Sequence, residues 1–142
     1  MPGSKLKLMV VDDEPENLDL LYRTFRREFQ VFRADSPSGA MDILDTEGEM
    51  AVIISDQSMP QMTGIEFFRR VAQLFPDTIR ILLTGYSEDA LDVDSATLAA
   101  ADIFKCITKP WEPKDFQTII NRAVEIYKAS QEGTNQSKNS IG

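Results

Sequence analysis

The sequence predicts an α/β fold in which five parallel strands form one doubly wound sheet with helices on both faces. Short apolar runs alternate five times with segments whose apolar residues recur at helical spacing, which is typical of strand–helix units. Three of these runs are almost continuously aliphatic, as expected for strands that are buried on both faces. The length of 142 residues suits one domain of this kind.

The first two strand–helix units are predicted in the N-terminal third of the chain. The first strand is expected from Leu6 to Val11, and Pro15 suits the next helix because the first helical turn does not use the N–H that proline lacks. The second strand is expected from Gln30 to Ala34, and Ser36 before Pro37 indicates the start of the second helix. The apolar stripe of the first helix comprises Leu18, Leu21, Tyr22, Phe25 and Phe29.

The same alternation predicts three further units. Strands are expected at residues 51–54, 79–83 and 103–107, and helices at residues 65–75, 88–100 and 116–127. Connections between parallel strands are right-handed, which leaves few ways to assemble these elements. The strand order 2-1-3-4-5, the flavodoxin-like arrangement, is therefore predicted.

Composition and charge narrow the classes of function. The absence of His excludes an imidazole base or metal ligand from this sequence, and the single Cys, Cys106, excludes an internal disulfide or a Cys-rich zinc site. A net charge of −8 argues against direct binding of nucleic acid. The longest apolar runs are far shorter than the ~20 residues of a membrane span, and no apolar segment of a signal peptide follows the N-terminus, so we expect a cytoplasmic protein.

Polar residues follow four of the predicted strands. Asp12 and Asp13 come after the first strand, Asp56 after the third, Thr84 after the fourth and Lys109 after the fifth. The carboxyl ends of parallel strands share one edge of the sheet, so we expect these side chains to converge there. Clustered carboxylates repel one another unless they take up protons or hold a cation, and an all-oxygen site selects Mg²⁺ or Mn²⁺ before zinc.

The same set of side chains suits phosphate chemistry. Lys109 supplies a positive charge and Thr84 a hydroxyl for phosphoryl oxygens, and a carboxylate beside a metal is a candidate phosphoryl acceptor. Any single Asp after a strand also has a simpler interpretation as a turn former or a helix cap. The placement of four polar sites on one edge is what favours the functional interpretation.

Four segments at these strand ends form recognisable motifs: Val10–Pro15, Ser55–Gly64, Leu83–Tyr86 and Thr108–Trp111. Together they resemble the receiver domain of bacterial two-component response regulators. Among receivers, the Asp-Gln after the third strand, the Thr-Gly-Tyr and the Lys-Pro-Trp are most similar to the hydrogenase-regulating subgroup. The resemblance implies a receiver domain over residues 5–128, with an N-terminal extension at residues 1–4. Composition predicts a disordered tail or truncated linker at residues 129–142.

The resemblance implies a role for each site residue. Asp56 would be the phosphoacceptor, and Mg²⁺, with Mn²⁺ as an alternative, would be held by Asp12, Asp13, Asp56 and the backbone carbonyl of Ser58. Asp13 would bind the ion directly and Asp12 largely through water. Thr84 would hydrogen-bond the aspartyl phosphate once it has formed.

The resemblance also concerns the fifth strand and the loop after it. Lys109 would pair with the phosphate, and its bond to Pro110 would be cis. Family members usually carry an aromatic residue three residues before the Lys, where this chain has Cys106. We expect Phe104 to lie on the same strand face and to be able to replace that aromatic residue. Tyr86 is expected to shield the acyl phosphate from water.

The function implied is phosphorelay signalling. A histidine kinase or phosphotransfer protein would donate the phosphoryl group in trans, and the chain would act as a switch rather than an enzyme that turns over a substrate. The fourth helix, fifth strand and fifth helix would then change their preference for an output protein or domain, or for a second copy of the chain. Two alternatives stay open: a Mg²⁺-dependent phosphohydrolase, which lacks a second acid where Ser58 stands, and a receiver-like module that only binds a partner.

Overall fold

Strands and helices alternate in the computed structural model, which describes residues 5–85 and 94–141, with side chains described as far as residue 133. The strands are β1 (Leu6–Val11), β2 (Phe29–Ala34), β3 (Val52–Asp56), β4 (Ile79–Thr84) and β5 (Lys105–Thr108). The helices are α1 (Pro15–Phe25), α2 (Pro37–Glu47), α3 (Gly64–Leu74), α4 (Ser95–Ala101) and α5 (Pro113–Ile141). The predicted alternation of elements is therefore confirmed in the described part of the chain.

The five strands form one parallel sheet in the order β2-β1-β3-β4-β5. This is the predicted flavodoxin-like order. Because β1 and β3 are neighbours, with Val11 paired to Ser55, the residues that follow these two strands lie side by side. The sheet thus brings together segments that are more than forty residues apart in the sequence.

Two apolar clusters cover the two faces of the sheet. One cluster, here the α1/α5 cluster, includes Leu8 and Val10 of β1, while the other, the α2/α3 cluster, includes Met9 and Val11 of the same strand. Alternate residues of a strand point to opposite faces, so β1 contributes to both clusters. Helical residues complete them: Leu21, Phe25, Phe116 and Ile120 on one face, and Leu44, Ile65, Phe68 and Val71 on the other.

The predicted helix starts have the expected local chemistry. Pro15 occupies the first turn of α1, and the hydroxyl of Ser36 accepts a hydrogen bond from the N–H of Gly39 at 3.0 Å at the start of α2. The hydroxyl of Thr63 accepts one from the N–H of Glu66 at 3.2 Å at the start of α3. Such caps satisfy N–H groups that have no partner within the helix.

Phe104 does not lie where the sequence predicts. The fifth strand begins at Lys105 rather than at Ile103, and the N–H of Phe104 donates to the carbonyl of Arg80 at 2.8 Å just before it. Phe104 packs against the α1/α5 cluster, whereas Cys106 packs against the α2/α3 cluster. The expectation that the two share a face is therefore wrong, because the period of two applies only within the strand.

Helix α5 continues to Ile141, through residues for which the composition predicts a disordered tail. A helix satisfies its backbone groups internally, so it can extend without a partner surface. The predicted N-terminal extension at residues 1–4 and the predicted start of the fourth helix near residue 88 lie outside the described residues. Among the helices that the structure describes, none has the length and apolarity to cross a membrane.

Candidate functional site

The site lies at the edge of the sheet where the carboxyl ends of the strands meet. Asp12 directly follows β1, Asp56 ends β3, Thr84 ends β4, and Lys109 directly follows β5. Three of these residues are at most 4 % exposed: Asp12, Asp56 and Thr84. Packing within the sheet therefore holds them in place and largely excludes water from their side chains. The convergence predicted from the sequence is thus found at this edge.

Three carboxylates form the centre of the site. One oxygen each from Asp12, Asp13 and Asp56 lies within 4.8 Å of the other two. Asp12 and Asp56 are buried, whereas Asp13 is exposed to solvent. Three oxygen donors, one of them facing water, fit a hard divalent cation that retains water ligands, which is how Mg²⁺ is usually bound.

Asp12 is held by two donors from the start of α1. Its carboxylate accepts the N–H of Glu14 at 2.9 Å and the side-chain amide of Asn17 at 3.2 Å. Burial raises the pKa of the Asp12 carboxyl above its ordinary value, and the negative charge of Asp56 adds to that rise against the opposing hydrogen bonds. Positive charge placed beside Asp12 acts against this rise, because it favours the ionised carboxylate.

Lys109 supplies part of that positive charge. Its ammonium group donates a hydrogen bond to Asp56 Oδ1 at 2.5 Å, and the two side chains are 27 % and 5 % exposed. Burial alone would lower the pKa of Lys109, but the hydrogen bond and charge of Asp56, with the charges of Asp12 and Glu14, outweigh it and raise that pKa. Lys109 is therefore held as a cation against the buried carboxylate.

The loop after β5 fixes the direction of Lys109. The N–H of Lys109 donates to the carbonyl of Thr84 at 2.8 Å, and the peptide bond between Lys109 and Pro110 is cis, as the resemblance implies. The Trp111 ring then lies 5.2 Å from the ring of Phe116, edge to face, and packs against the α1/α5 cluster. Trp111 thus anchors the start of α5.

The fold and the arrangement of the site residues are those of a known protein family. The family model of the response regulator receiver domain matches residues 8–121. The chain belongs to this family. Receiver domains act in two-component phosphorelay signalling, and the acidic pocket of Asp12, Asp13 and Asp56 fits their use of an aspartyl phosphate and a divalent cation.

Relatives and solved structures agree with this assignment. Two proteins named hydrogenase transcriptional regulatory protein HoxA, from Bradyrhizobium diazoefficiens and Cupriavidus necator, are each 36 % identical to 88 % of this chain. The match spans 25 % of each HoxA protein, so the chain corresponds to about a quarter of their length. The crystal structure of a response regulator receiver domain protein from Clostridium thermocellum is 28 % identical, with a TM-score of 0.74, covering 87 % of this chain and 98 % of that one.

The β3–α3 loop of this receiver domain carries the remaining predicted ligand. Ser58 lies two residues after Asp56 in this loop and is exposed. Two side chains of the site have contacts that sequence reasoning missed: Asn17 on Asp12, and Gln57 on the start of α3. Gln57 stands in a motif of the family, but no local pattern shows what its amide contacts. Tyr86, expected to shield the acyl phosphate, lies outside the described residues.

Proposed function

We propose that this receiver domain accepts a phosphoryl group on Asp56, in a Mg²⁺-dependent reaction, from a histidine kinase or a phosphotransfer protein. The observation that carries the proposal is the approach of three carboxylate oxygens to within 4.8 Å of one another, with the Lys109 ammonium on Asp56. Mutual repulsion would be reduced by a cation held between Asp12, Asp13 and Asp56, with the Ser58 carbonyl as a further ligand. Mn²⁺ also prefers oxygen ligands and is therefore an alternative to Mg²⁺ at this site.

The chemistry is a transfer between a nitrogen and an oxygen. An oxygen of the Asp56 carboxylate attacks the phosphorus of a phosphohistidine, the phosphorus–nitrogen bond breaks, and the freed imidazole takes up a proton. A bound Mg²⁺ supplies positive charge to the phosphoryl oxygens during this transfer. Within these 142 residues there is no His, so the donor imidazole belongs outside this sequence.

Two further residues respond to the product. The acyl phosphate adds about −1.5 to −2 charges next to Lys109, whose ammonium would move from the carboxylate to the phosphoryl oxygens. The hydroxyl of Thr84, at the end of the adjacent strand β4, would hydrogen-bond the phosphoryl group. The conformer in which both contacts form gains population after phosphorylation.

The output is a change of protein contacts. Lys109 follows β5 directly and precedes α5, so its movement is transmitted first to this part of the surface. We propose that the surface of α4, β5 and α5 then changes its affinity for an output protein or domain, or for a second copy of the chain. Similarity to HoxA, named as a hydrogenase transcriptional regulatory protein, supports an output in gene regulation.

Intact-mass measurement after incubation with phosphoramidate tests the proposal. We expect the wild type to gain one phosphoryl group with Mg²⁺ and none with EDTA. The Asp56→Asn variant should gain none. As a matched control, Asp35→Asn changes an exposed Asp after β2, on the same edge but outside the carboxylate cluster, and should be phosphorylated like the wild type.

Other results would favour the alternatives. No phosphoryl gain in the wild type, with phosphoramidate and with a phosphorylated histidine kinase, would leave a module that only binds a partner. Sustained release of phosphate from a simple phosphomonoester would indicate a phosphohydrolase. A gain that persists in Asp56→Asn would place the phosphoryl group on another residue.

A further inference from the structure

Gln57 is anchored in the receiver domain by three of its own polar groups. Its N–H donates to the carbonyl of Leu83 in β4 at 2.9 Å, and its carbonyl accepts the N–H of Gly64 at 3.0 Å. Its side-chain oxygen Oε1 accepts the N–H of Ile65 at 3.0 Å, from the first turn of α3. One residue next to Asp56 thus joins β3, β4 and the start of α3.

The two bonds to Gly64 and Ile65 close the β3–α3 loop at its base. The hydrogen bond between the Gln57 side chain and Ile65 joins residues that are eight positions apart. It therefore links the two ends of the loop and is not part of the hydrogen bonding within the helix. Thr63 already caps α3 by accepting the N–H of Glu66. The Gln57 amide therefore adds loop closure to a helix start that has its own cap.

Gly64, at the end of the loop, packs closely against the backbone of Asp56, at its beginning. A Cβ atom at this residue would lie 2.4 Å from the carbonyl oxygen of Asp56 and 2.8 Å from Leu82 Cδ1. Only glycine permits this approach of α3 to the backbone of Asp56. The loop between them, which contains Ser58, is consequently constrained at both ends.

We propose that Gln57 is a positioning residue that sets the affinity of the site for Mg²⁺, by holding the loop from which the Ser58 carbonyl reaches the ion. The proposal rests on the proposed function, which makes that carbonyl a ligand. If the loop already has a single conformation, it loses little conformational entropy when the Ser58 carbonyl binds the ion. Closure of the loop therefore reduces the entropic cost of binding Mg²⁺. Groups that support metal ligands in this way typically change affinity by 10–100-fold.

The test compares two variants that each lose one side-chain bond to the start of α3. Gln57→Met keeps the length of the side chain but removes the acceptor for the Ile65 N–H. Thr63→Val keeps the shape of the side chain but removes the acceptor for the Glu66 N–H, without opening the loop. Mg²⁺ affinity is measured by titration calorimetry, and exchange of the Ile65 amide hydrogen by NMR.

We expect Gln57→Met to bind Mg²⁺ about tenfold more weakly than the wild type and to exchange its Ile65 amide faster. Thr63→Val should lose stability but bind Mg²⁺ within twofold of the wild type. At saturating Mg²⁺, the rate at which Gln57→Met takes up the phosphoryl group from phosphoramidate should return to within twofold of the wild-type rate. That recovery separates positioning of the ion from a direct part in the transfer.

The outcomes distinguish this proposal from the proposed function. If the wild type binds Mg²⁺ and Gln57→Met binds it equally well with a faster-exchanging Ile65 amide, loop closure has no part in affinity. Equal weakening in both variants would assign the effect to the stability of α3 and would also overturn the proposal. A wild type that binds no Mg²⁺ and takes up no phosphoryl group would overturn the proposed function, and the role of Gln57 with it.

Discussion

The Lys109 ammonium lies 2.5 Å from Asp56 Oδ1, across the carboxyl ends of strands that are not adjacent in the sheet. Strand β4 stands between β3 and β5, so the long Lys109 side chain reaches over it to the carboxylate. The pair offsets one negative charge of the cluster formed by Asp12, Asp13 and Asp56. The proposed phosphoacceptor thus already contacts the cation that we propose pairs with its phosphoryl group.

Replacing Lys109 by Met leaves the Asp56 carboxylate buried without its cation. We expect a loss of about 2 kcal/mol in the free energy of unfolding, less than for a fully buried pair because the Lys109 side chain is 27 % exposed. Urea denaturation of the metal-free protein measures it. The matched control is Arg23→Met, which breaks an exposed pair with Asp19 and should cost at most about 0.5 kcal/mol. Equal losses would show that the Lys109 pair is no more important than a surface pair.

Asp12→Asn is expected to stabilise the metal-free protein and to reduce the further stabilisation that Mg²⁺ provides. Burial raises the pKa of Asp12, so its negative charge costs folding stability once the pH exceeds the pKa of the unfolded carboxyl, and an uncharged amide should increase the melting temperature of the metal-free protein. The same change removes one oxygen anion from the cluster, so the stabilisation by added Mg²⁺ should shrink. Thermal denaturation with EDTA and with Mg²⁺ shows both effects. A lower melting temperature in EDTA would contradict the prediction.

Gly64→Ala is expected to destabilise the receiver domain by about 1–3 kcal/mol, because the new methyl group meets the Asp56 carbonyl and Leu82. Urea denaturation measures this loss. Gly133→Ala in α5 is the control, since among the described residues the added Cβ has no neighbour within 4 Å beyond its own stretch of helix. A helical Gly-to-Ala change should stabilise by up to about 1 kcal/mol. Equal effects at the two sites would mean that α3 can move away from the strand without cost.

Tyr127 connects α5 to the loop before β3. Its hydroxyl donates to Glu49 Oε2 at 2.7 Å, and burial followed by this bond raises the Tyr127 pKa. A raised pKa stabilises the fold below the pKa of the unfolded tyrosine, 10.0, and this contribution declines as the pH rises above that value. Tyr127→Phe should therefore lose about 1 kcal/mol at pH 8, and the difference from the wild type should narrow above pH 10.0.

Denaturation of both proteins between pH 8 and pH 11 measures this difference. The nearby Gln131 approaches the same Glu49 oxygen at only 3.5 Å, so Gln131→Ala serves as the control with a smaller, pH-independent effect. A difference between Tyr127→Phe and the wild type that stays constant over this range would show that the hydroxyl does not contribute through its bond to Glu49.

Cys106→Ser is expected to preserve the conformational response that we propose follows phosphorylation. Cys106 packs on the α2/α3 face as a small side chain, and Phe104 packs on the opposite face, so neither provides an aromatic ring at the usual place of the family. Amide chemical shifts of β5 and α5 before and after phosphorylation provide the measurement. Normal phosphoryl uptake without the shift changes in Cys106→Ser would show that the thiol itself couples the site to β5.

The sequence alone determined the strand order and the edge on which the site lies. Apolar runs such as residues 6–11 and 79–83 can be recognised from a short stretch of sequence. The rules for the connections between parallel strands, which restrict the strand order, do not depend on the details of the side chains. Asp12 directly follows β1 and Asp56 ends β3, so their meeting at one edge follows from the order of the strands. The cis bond before Pro110 was predicted from the family resemblance and is confirmed.

Only the tertiary structure decided which side chains touch. The hydrogen bond between Gln57 and Ile65, which closes the loop, joins residues that are 8 positions apart in the sequence. The hydrogen bond between Tyr127 and Glu49 joins residues that are 78 positions apart. No local sequence pattern encodes such pairs. The opposite faces of Phe104 and Cys106 depend on β5 beginning at Lys105, two residues later than its apolar pattern indicates. The periodicity of a sequence predicts a face once a strand has begun, but packing against the neighbouring strand decides where it begins.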